Sequence, residues 1–285
     1  MLWKGERQSE NVEDRRGFTL ARGIGGGGLG ILAVALVAMF FGVDPTVILQ
    51  DLTTSNVPTS SSSVPVALTA AEQEQREFVS VVLADTEDAW HELFRQMSAT
   101  YSEPKLVLFT GAVESACGMA QSAVGPFYCA QDQKIYIDLD FYRELRDRFH
   151  APGDFAQAYV IAHEVGHHVQ NLLGVMPKVQ EARLRADARG GNALSVRLEL
   201  QADCFAGVWA NHANKMKHML EAGDVEEGLN AATAIGDDRL QRQAGRSVSP
   251  DSFTHGSSVQ RVSWFKRGLA NGDLRDCDTF AAAQL

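Results

Sequence analysis

One stretch decides the fold and the chemistry of this chain, Y-V-I-A-H-E-V-G-H-H-V-Q at positions 159–170. It contains the pattern His-Glu-x-x-His, in which His163 and His167 are four positions apart. Residues at this spacing share one face of a helix, so both imidazoles can bind one zinc ion at about 2.0–2.1 Å. Glu164 is then placed beside the ion, where its carboxylate can accept a proton from water. The alternative is a pair of histidines with a structural role.

A third zinc ligand is expected on the later helical stretch 195–218, because catalytic zinc usually has three protein ligands and one open position. Glu199 and Asp203 are one turn apart on this stretch and have apolar neighbours. Buried carboxylates need partners. We therefore predict that Glu199 binds the zinc and that Asp203 accepts a hydrogen bond from a ligand imidazole. The alternative is an exposed carboxylate pair that binds nearby arginines.

A further element is T-H-G-S-S-V-Q-R at positions 254–261, whose serines are typical of a helix start. His255 directly precedes this start and is predicted to stabilise an oxyanion at the zinc site or to act as a movable extra ligand. Arg261 is predicted to bind a substrate carbonyl or carboxylate. The alternative is a capping loop with a solvated histidine.

The N-terminal part has features of a membrane anchor. Residues 23–43 form a 21-residue stretch without a charge, long enough to span a bilayer as a helix. Lysines and arginines precede it, and none follows until Arg76, so the positive-inside rule predicts a cytoplasmic N-terminus. The expected location is the inner membrane, with a single pass and a periplasmic or extracellular catalytic domain. A cleaved signal peptide is the alternative, because the strongly apolar part, 29–43, is only 15 residues long.

The predicted organisation follows from these signals. Residues 1–22 form a cytoplasmic segment, 23–43 the transmembrane anchor, 44–69 a Ser/Thr/Pro-rich linker and 70–285 the catalytic domain. Strands are predicted at 105–110 and 134–138, and helices dominate after Gly153. The fold class is therefore α+β and helix-rich, with a small β-sheet, preceded by one transmembrane helix. The strand at 134–138 is the best candidate for an edge that pairs with an extended substrate.

Charge and cysteine content limit the partners and the redox state. The formal net charge of −10 argues against nucleic acid, because phosphate binding needs a basic face. An exported domain favours two disulfides, and four buried thiols are the alternative. Cys117 and Cys129 bracket a short turn region, while Cys277 lies in a polar tail that a bridge to Cys204 would hold in place. We predict these two pairings, although the sequence alone permits others.

Several of these stretches together resemble the bacterial neutral zinc metallopeptidase family. They are the segment at 23–43, the Ser/Thr-rich linker, H-E-V-G-H-H-V-Q at 163–170, E-L-Q-A-D at 199–203 and T-H-G-S-S at 254–258. The likeness covers nearly the whole chain. It implies a zincin-like metallopeptidase domain that uses zinc and acts on a protein or peptide substrate.

A more distant similarity is to membrane-associated gluzincins of the Ste24/HtpX type. Those proteins have His-Glu-x-x-His, then Glu-x-x-x-Asp, and then a later His followed by Arg. The two earlier motifs of this chain match the first two parts, and His255 and Arg261 match the third part in spacing. Gly256 stands where those proteins have proline.

The expected function is hydrolysis of peptide bonds by a membrane-anchored enzyme with one zinc ion and Glu164 as general base. A non-enzymatic zinc-binding scaffold is the rival class, and a hydrolase of other amides shares the same site. A purely structural zinc site would need no base and would usually fill all four positions, which favours the enzyme.

Overall fold

The structure, a computed structural model, describes residues 1–16, 68–121, 125–245 and 247–285. Residues 1–16 and 68–285 belong to one compact unit. Its strands are β1 (Val12–Asp14), β2 (Lys105–Phe109), β3 (Ala112–Ser115), β4 (Gly118–Gln121), β5 (Phe127–Cys129) and β6 (Lys134–Asp138). Its α-helices are α1 (Ala70–Gln96), α2 (Asp140–Asp147), α3 (Asp154–Leu172), α4 (Val175–Arg185), α5 (Ala188–Lys217), α6 (Asp224–Ala234), α7 (Asp237–Gln243) and α8 (Ser258–Asn271). Short 3₁₀ turns lie at Pro250–Ser252 and Leu274–Cys277.

Among the described residues, the main sheet has four strands in the order β1-β2-β6-β5. β1 and β2 are parallel, β2 and β6 are parallel, and β5 runs antiparallel to β6. β3 and β4 form a separate antiparallel pair. The two strands predicted from the sequence are confirmed. The prediction that 134–138 is a substrate-pairing edge is wrong, because β6 is hydrogen-bonded on both sides and β5 forms the edge.

The helix that carries His-Glu-x-x-His, α3, lies in the core and packs against α5. Their backbones approach closely at Gly166, where an added Cβ would lie 3.0 Å from the Ala202 carbonyl oxygen. A second close approach joins α5 to α8, because a Cβ on Gly268 would meet the Cys204 carbonyl oxygen at 2.0 Å. Glycine leaves room for such backbone contact. These two contacts bring the residues of 163–167, 199–203 and 261 to one place.

The start of α8 agrees with the sequence signal. Ser257 is the N-cap, and its hydroxyl accepts a hydrogen bond from the backbone N–H of Gln260. The Gln260 side chain in turn accepts from the backbone N–H of Ser257, which completes a capping box. The helix start therefore fixes the loop that carries His255 directly before it.

Two disulfide bridges join Cys117 to Cys129 and Cys204 to Cys277, the pairing predicted from the sequence. The first bridge connects β5 to the turn after β3. The second connects α5 to the C-terminal segment directly beyond α8.

The predicted membrane arrangement requires correction. The segment at 23–43 and most of the linker at 44–69 lie outside the described residues. No helix in the described ranges combines the length and the apolar character needed to cross a bilayer. The fold class that the structure supports for the described residues is a helix-rich α+β domain, and these residues include no transmembrane helix of the kind that the sequence predicts.

The N-terminal residues also contradict the predicted location. β1 pairs directly with β2, with Val12 opposite Leu106. The Leu2 N–H donates to the Met219 carbonyl, and the Trp3 ring packs against Phe78. Paired strands are about 4.8 Å apart, whereas the hydrocarbon core of a bilayer is about 30 Å thick. Residues 1–16 and the domain that contains β2 therefore cannot lie on opposite sides of a membrane, and the predicted single-pass inner-membrane topology is wrong.

Candidate metal centre

Two helices bring a potential metal-binding triad together. His163 and His167 come from α3 and Glu199 from α5, and their ligand atoms all lie within 4.8 Å of one another. The Nε2 atoms of His163 and His167 lie 3.2 and 3.5 Å from the two carboxylate oxygens of Glu199. Both histidines are buried, at 6% and 8% exposure. Two imidazole nitrogens and one carboxylate oxygen form the donor set of a catalytic zinc site, so these residues fit zinc.

Asp203 contacts the imidazole nitrogen of His163 that does not face Glu199. Its Oδ1 lies 2.9 Å from His163 Nδ1 and also accepts a hydrogen bond from the Tyr159 hydroxyl. An ionised carboxylate can only accept, so Nδ1 carries the proton and Nε2 is left to face Glu199. This is the carboxylate–histidine support that orients metal ligands in many proteins.

Arg261 completes this arrangement. Its Nε and Nη2 donate to the two oxygens of Asp203, each at 2.8 Å, in a bidentate pair. Arg261 is only 2% exposed and Asp203 is fully buried. The sequence predicts that Arg261 binds substrate; the structure places its guanidinium on Asp203, although the residue also lines the adjacent cavity. Its contacts are therefore those of a counter-ion for the group that positions His163.

The buried charged groups of this cluster shift one another's pKa values. Burial on its own raises the pKa of Asp203, but Arg261 and His163 outweigh it and hold that pKa at about 2. Burial on its own lowers the pKa of His163, but Asp203 and Glu199 raise it to about 10. Binding of a metal at His163 Nε2 must therefore release a proton.

Glu164 lies next to the triad on α3. It is 7% exposed and lines the same cavity as His163, His167 and Glu199. Burial raises the pKa of its carboxyl, and the charges of His167 and His163 act in the opposite direction. A buried carboxylate beside a potential metal site has the environment that suits a general base.

His255 reaches the cavity from the loop between α7 and α8. Asp237 orders this loop, because one of its oxygens accepts the backbone N–H groups of Thr254, His255 and Gly256 at 2.7, 2.6 and 3.1 Å. The other oxygen lies 3.2 Å from His255 Nδ1. The His255 side chain is 51% exposed and lines the cavity. The Thr254 hydroxyl also lies 3.0 Å from Nδ1. Because the Asp237 carboxylate can only accept, Nδ1 carries a proton, which leaves Nε2 as the nitrogen available to a ligand.

The cavity in front of the triad has a volume of about 560 Å³. Its wall combines the polar groups described above with a largely apolar surface formed by Pro126, Phe127, Tyr128, Phe141, Phe149, Met176, Leu198, Ile235 and Leu240. The edge strand β5 contributes Phe127 and Tyr128 to this wall. A cleft that combines an apolar wall with a few convergent polar groups is typical of a ligand-binding site.

Comparison with known proteins agrees with this geometry. The family model described as "Putative neutral zinc metallopeptidase" matches residues 1–280. The chain belongs to this family. The uncharacterized protein YpfJ of Escherichia coli K12 is 51% identical over 289 residues, covering 98% of this chain and 99% of that protein. The uncharacterized protein Rv2575 of Mycobacterium tuberculosis H37Rv is 42% identical over 260 residues, covering 87% of this chain and 86% of that protein. No solved structure matches the chain.

Membership in this family confirms the resemblance inferred from the motifs. It supports a zinc metallopeptidase as the class of the protein and zinc as its cofactor. The names of the two relatives state no substrate.

Sequence reasoning missed three residues that complete the site. Tyr159 and Gln170 are on α3, where they contact Asp203 and His167, and Asp237 orders the His255 loop. Gln170 follows His167 by three positions and so shares its helix face, which is a signal that the spacing offered. The partners of Asp237 lie 17 to 19 positions later in the chain, and no local pattern marks them.

Proposed function

We propose that this protein hydrolyses peptide bonds with one zinc ion held by His163, His167 and Glu199. The observation that carries the proposal is the position of Glu164, which lines the same cavity as the three ligand residues. Three protein ligands leave a coordination position open, as in catalytic rather than structural zinc sites. Family membership supports the same class.

Zinc, when bound, supplies a Lewis acid that lowers the pKa of water towards neutrality and polarises a carbonyl group. Glu164 accepts the proton of the attacking water and later donates it to the leaving amine. Its buried setting favours the first of these transfers, because a carboxylate with a raised pKa is a stronger base and accepts the proton of water more readily.

His255 is proposed to stabilise the oxyanion that develops on the scissile carbonyl. The hydrogen bond between Nδ1 and Asp237 raises the pKa of the His255 ring, which favours the doubly protonated ring whose Nε2 can donate. A donor held in place before the reaction needs no reorganisation, which is the main benefit of such a group.

The substrate is proposed to bind in an extended conformation along β5. This strand is an edge of the main sheet and forms part of the cavity wall. Extended peptides pair with exposed sheet edges through main-chain hydrogen bonds. The apolar wall that includes Phe141 and Phe149 then favours peptides with a large apolar side chain near the scissile bond.

The test compares wild type with Glu164→Gln on a mixture of unfolded proteins and peptides, with zinc content measured in the same samples. We expect equal zinc content and a loss of hydrolysis of about 10²–10⁴-fold in Glu164→Gln, because an amide cannot act as the base. Glu181→Gln changes an exposed residue on α4 in the same way and serves as the matched control. Zinc binding without any hydrolysis by wild type would favour a scaffold instead.

A further inference from the structure

A continuous chain of hydrogen bonds runs from a proposed zinc ligand to the C-terminal segment, Leu274–Leu285. His167 Nδ1 lies 2.9 Å from Gln170 Oε1. The Gln170 amide nitrogen donates to the Leu198 carbonyl at 2.7 Å and to Gln201 Oε1 at 3.2 Å. The Gln201 amide nitrogen donates to the Cys277 carbonyl at 3.1 Å. The chain thus joins α3, α5 and the C-terminal segment.

The direction of every bond in this chain is fixed by backbone carbonyls, which can only accept. The Cys277 carbonyl requires the amide nitrogen of Gln201, so Gln201 Oε1 faces Gln170. The Leu198 carbonyl requires the amide nitrogen of Gln170, so Gln170 Oε1 faces His167. His167 Nδ1 must then carry the proton, which leaves the lone pair of Nε2 for a metal.

The C-terminal segment is attached firmly beside this chain. The Cys204–Cys277 bridge ties it to α5 one residue beyond Asp203. Arg197, two residues before Glu199, donates to the carbonyls of Thr279 and Ala282, and the Thr279 hydroxyl donates back to the Arg197 carbonyl at 2.7 Å. Cys277, Thr279 and Gln170 are fully buried. Water therefore has little access to compete for these bonds.

We propose that the C-terminal segment is a positioning element of the metal site, which sets the tautomer and orientation of His167 through Gln201 and Gln170. This inference rests on the proposed zinc site and adds to it two positioning residues and a structural link to the C-terminal segment. Loss of a hydrogen-bond partner behind a metal ligand typically weakens metal affinity by about 10–100-fold. Because the segment is held by a disulfide, replacing Cys204 and Cys277 by serine is expected to weaken zinc binding.

The first experiment measures zinc affinity by competition with a chelator, without any substrate. Gln170→Met keeps the volume and removes all three hydrogen bonds, so we expect affinity to fall by about 10–100-fold. Gln201→Met leaves the Leu198 carbonyl to orient Gln170, so a smaller loss of about 3–10-fold is expected. Gln157→Met is the matched control, because Gln157 is also on α3 but bonds only to the Gly153 carbonyl. Its affinity should equal that of wild type.

A spectroscopic readout separates positioning from simple destabilisation. In zinc-loaded protein with ¹⁵N-labelled histidine, the Nδ1–H signal of His167 should be protected from exchange in wild type and lost in Gln170→Met. Thermal unfolding of the metal-free variants reports any general loss of stability. Wild-type affinity and a protected Nδ1–H in Gln170→Met would overturn the role of Gln170.

The link to the C-terminal segment is tested by combining Gln201→Met with Cys204→Ser/Cys277→Ser. If the bridge acts through Gln201, removing it weakens zinc binding in the wild-type background and has little further effect in Gln201→Met. Fully additive losses, or no loss on removing the bridge, would overturn the proposal. Absence of zinc binding in wild type would refute the proposed function instead, so the two failures are distinguishable.

Discussion

The ion pair between Asp203 and Arg261 gives the sharpest prediction of stability. Asp203, which is fully buried, accepts two bonds from Arg261 at 2.8 Å and one from His163 at 2.9 Å. An asparagine at this position would keep one acceptor and turn an amide N–H₂ towards these donors. Removing one partner of a buried pair leaves the other charge uncompensated, which costs about 3–5 kcal/mol. We therefore expect Asp203→Asn to lower the melting temperature of the metal-free protein by about 6–20 °C.

Combining the substitution with Arg261→Met provides the decisive comparison. The double variant removes the uncompensated guanidinium, so it should be more stable than Asp203→Asn alone. Asp140→Asn is the control, because it removes only an exposed pair with Arg143 and should have little effect. Thermal unfolding in the presence of a chelator measures all four proteins. A buried ion pair of this strength would be refuted if Asp203→Asn had the same melting temperature as the control, or if the double variant were less stable than Asp203→Asn.

Three further predictions concern the neighbouring elements. Asp237→Asn should lower the pKa of His255 towards 6.5, because the hydrogen bond to the Asp237 carboxylate stabilises the protonated ring. An NMR titration of His255 that is unchanged in the variant would contradict this prediction. Tyr128→Phe removes the hydroxyl that joins β5 to α3. KM for peptides should therefore rise more than kcat falls, with zinc content unchanged. A larger fall in kcat than rise in KM, measured by steady-state kinetics, would refute this prediction. Gly166→Ala places a methyl group 3.0 Å from the Ala202 carbonyl oxygen and should lower the free energy of unfolding by about 1–3 kcal/mol. Denaturant titration measures this loss, and an unchanged free energy of unfolding would argue against the close helix contact.

The candidate site was largely predictable because its main residues are local in the sequence. The spacing of His163 and His167, and of Glu199 and Asp203, follows from helical periodicity alone. Both helices form as expected, and their facing sides meet in the structure. The role of Arg261 was not predictable in the same way. Its partner Asp203 is 58 positions away, and only the crossing of α5 and α8 shows that the two are paired.

The sheet shows where the sequence misleads. β1, Val12–Asp14, has two acidic residues among three and no strand pattern, yet it pairs with β2 some 94 positions later. The N-terminal residues instead suggested a segment on the opposite side of a membrane. The strand at 134–138 was identified correctly but assigned to the wrong position, because strand order depends on partners far away in the chain. In contrast, the polar character of the C-terminal segment did predict its bridge to Cys204.

The most direct test of the account is X-ray absorption at the zinc edge on the protein purified with one equivalent of zinc. We predict two imidazole nitrogens at about 2.0–2.1 Å, one carboxylate oxygen at about 2.0–2.2 Å and one exchangeable light ligand. Replacing Glu199 with Ala should remove the carboxylate oxygen and sharply lower zinc retention. Sulfur in the coordination shell, or an unchanged spectrum in Glu199→Ala, would contradict the assignment of His163, His167 and Glu199 as the zinc ligands.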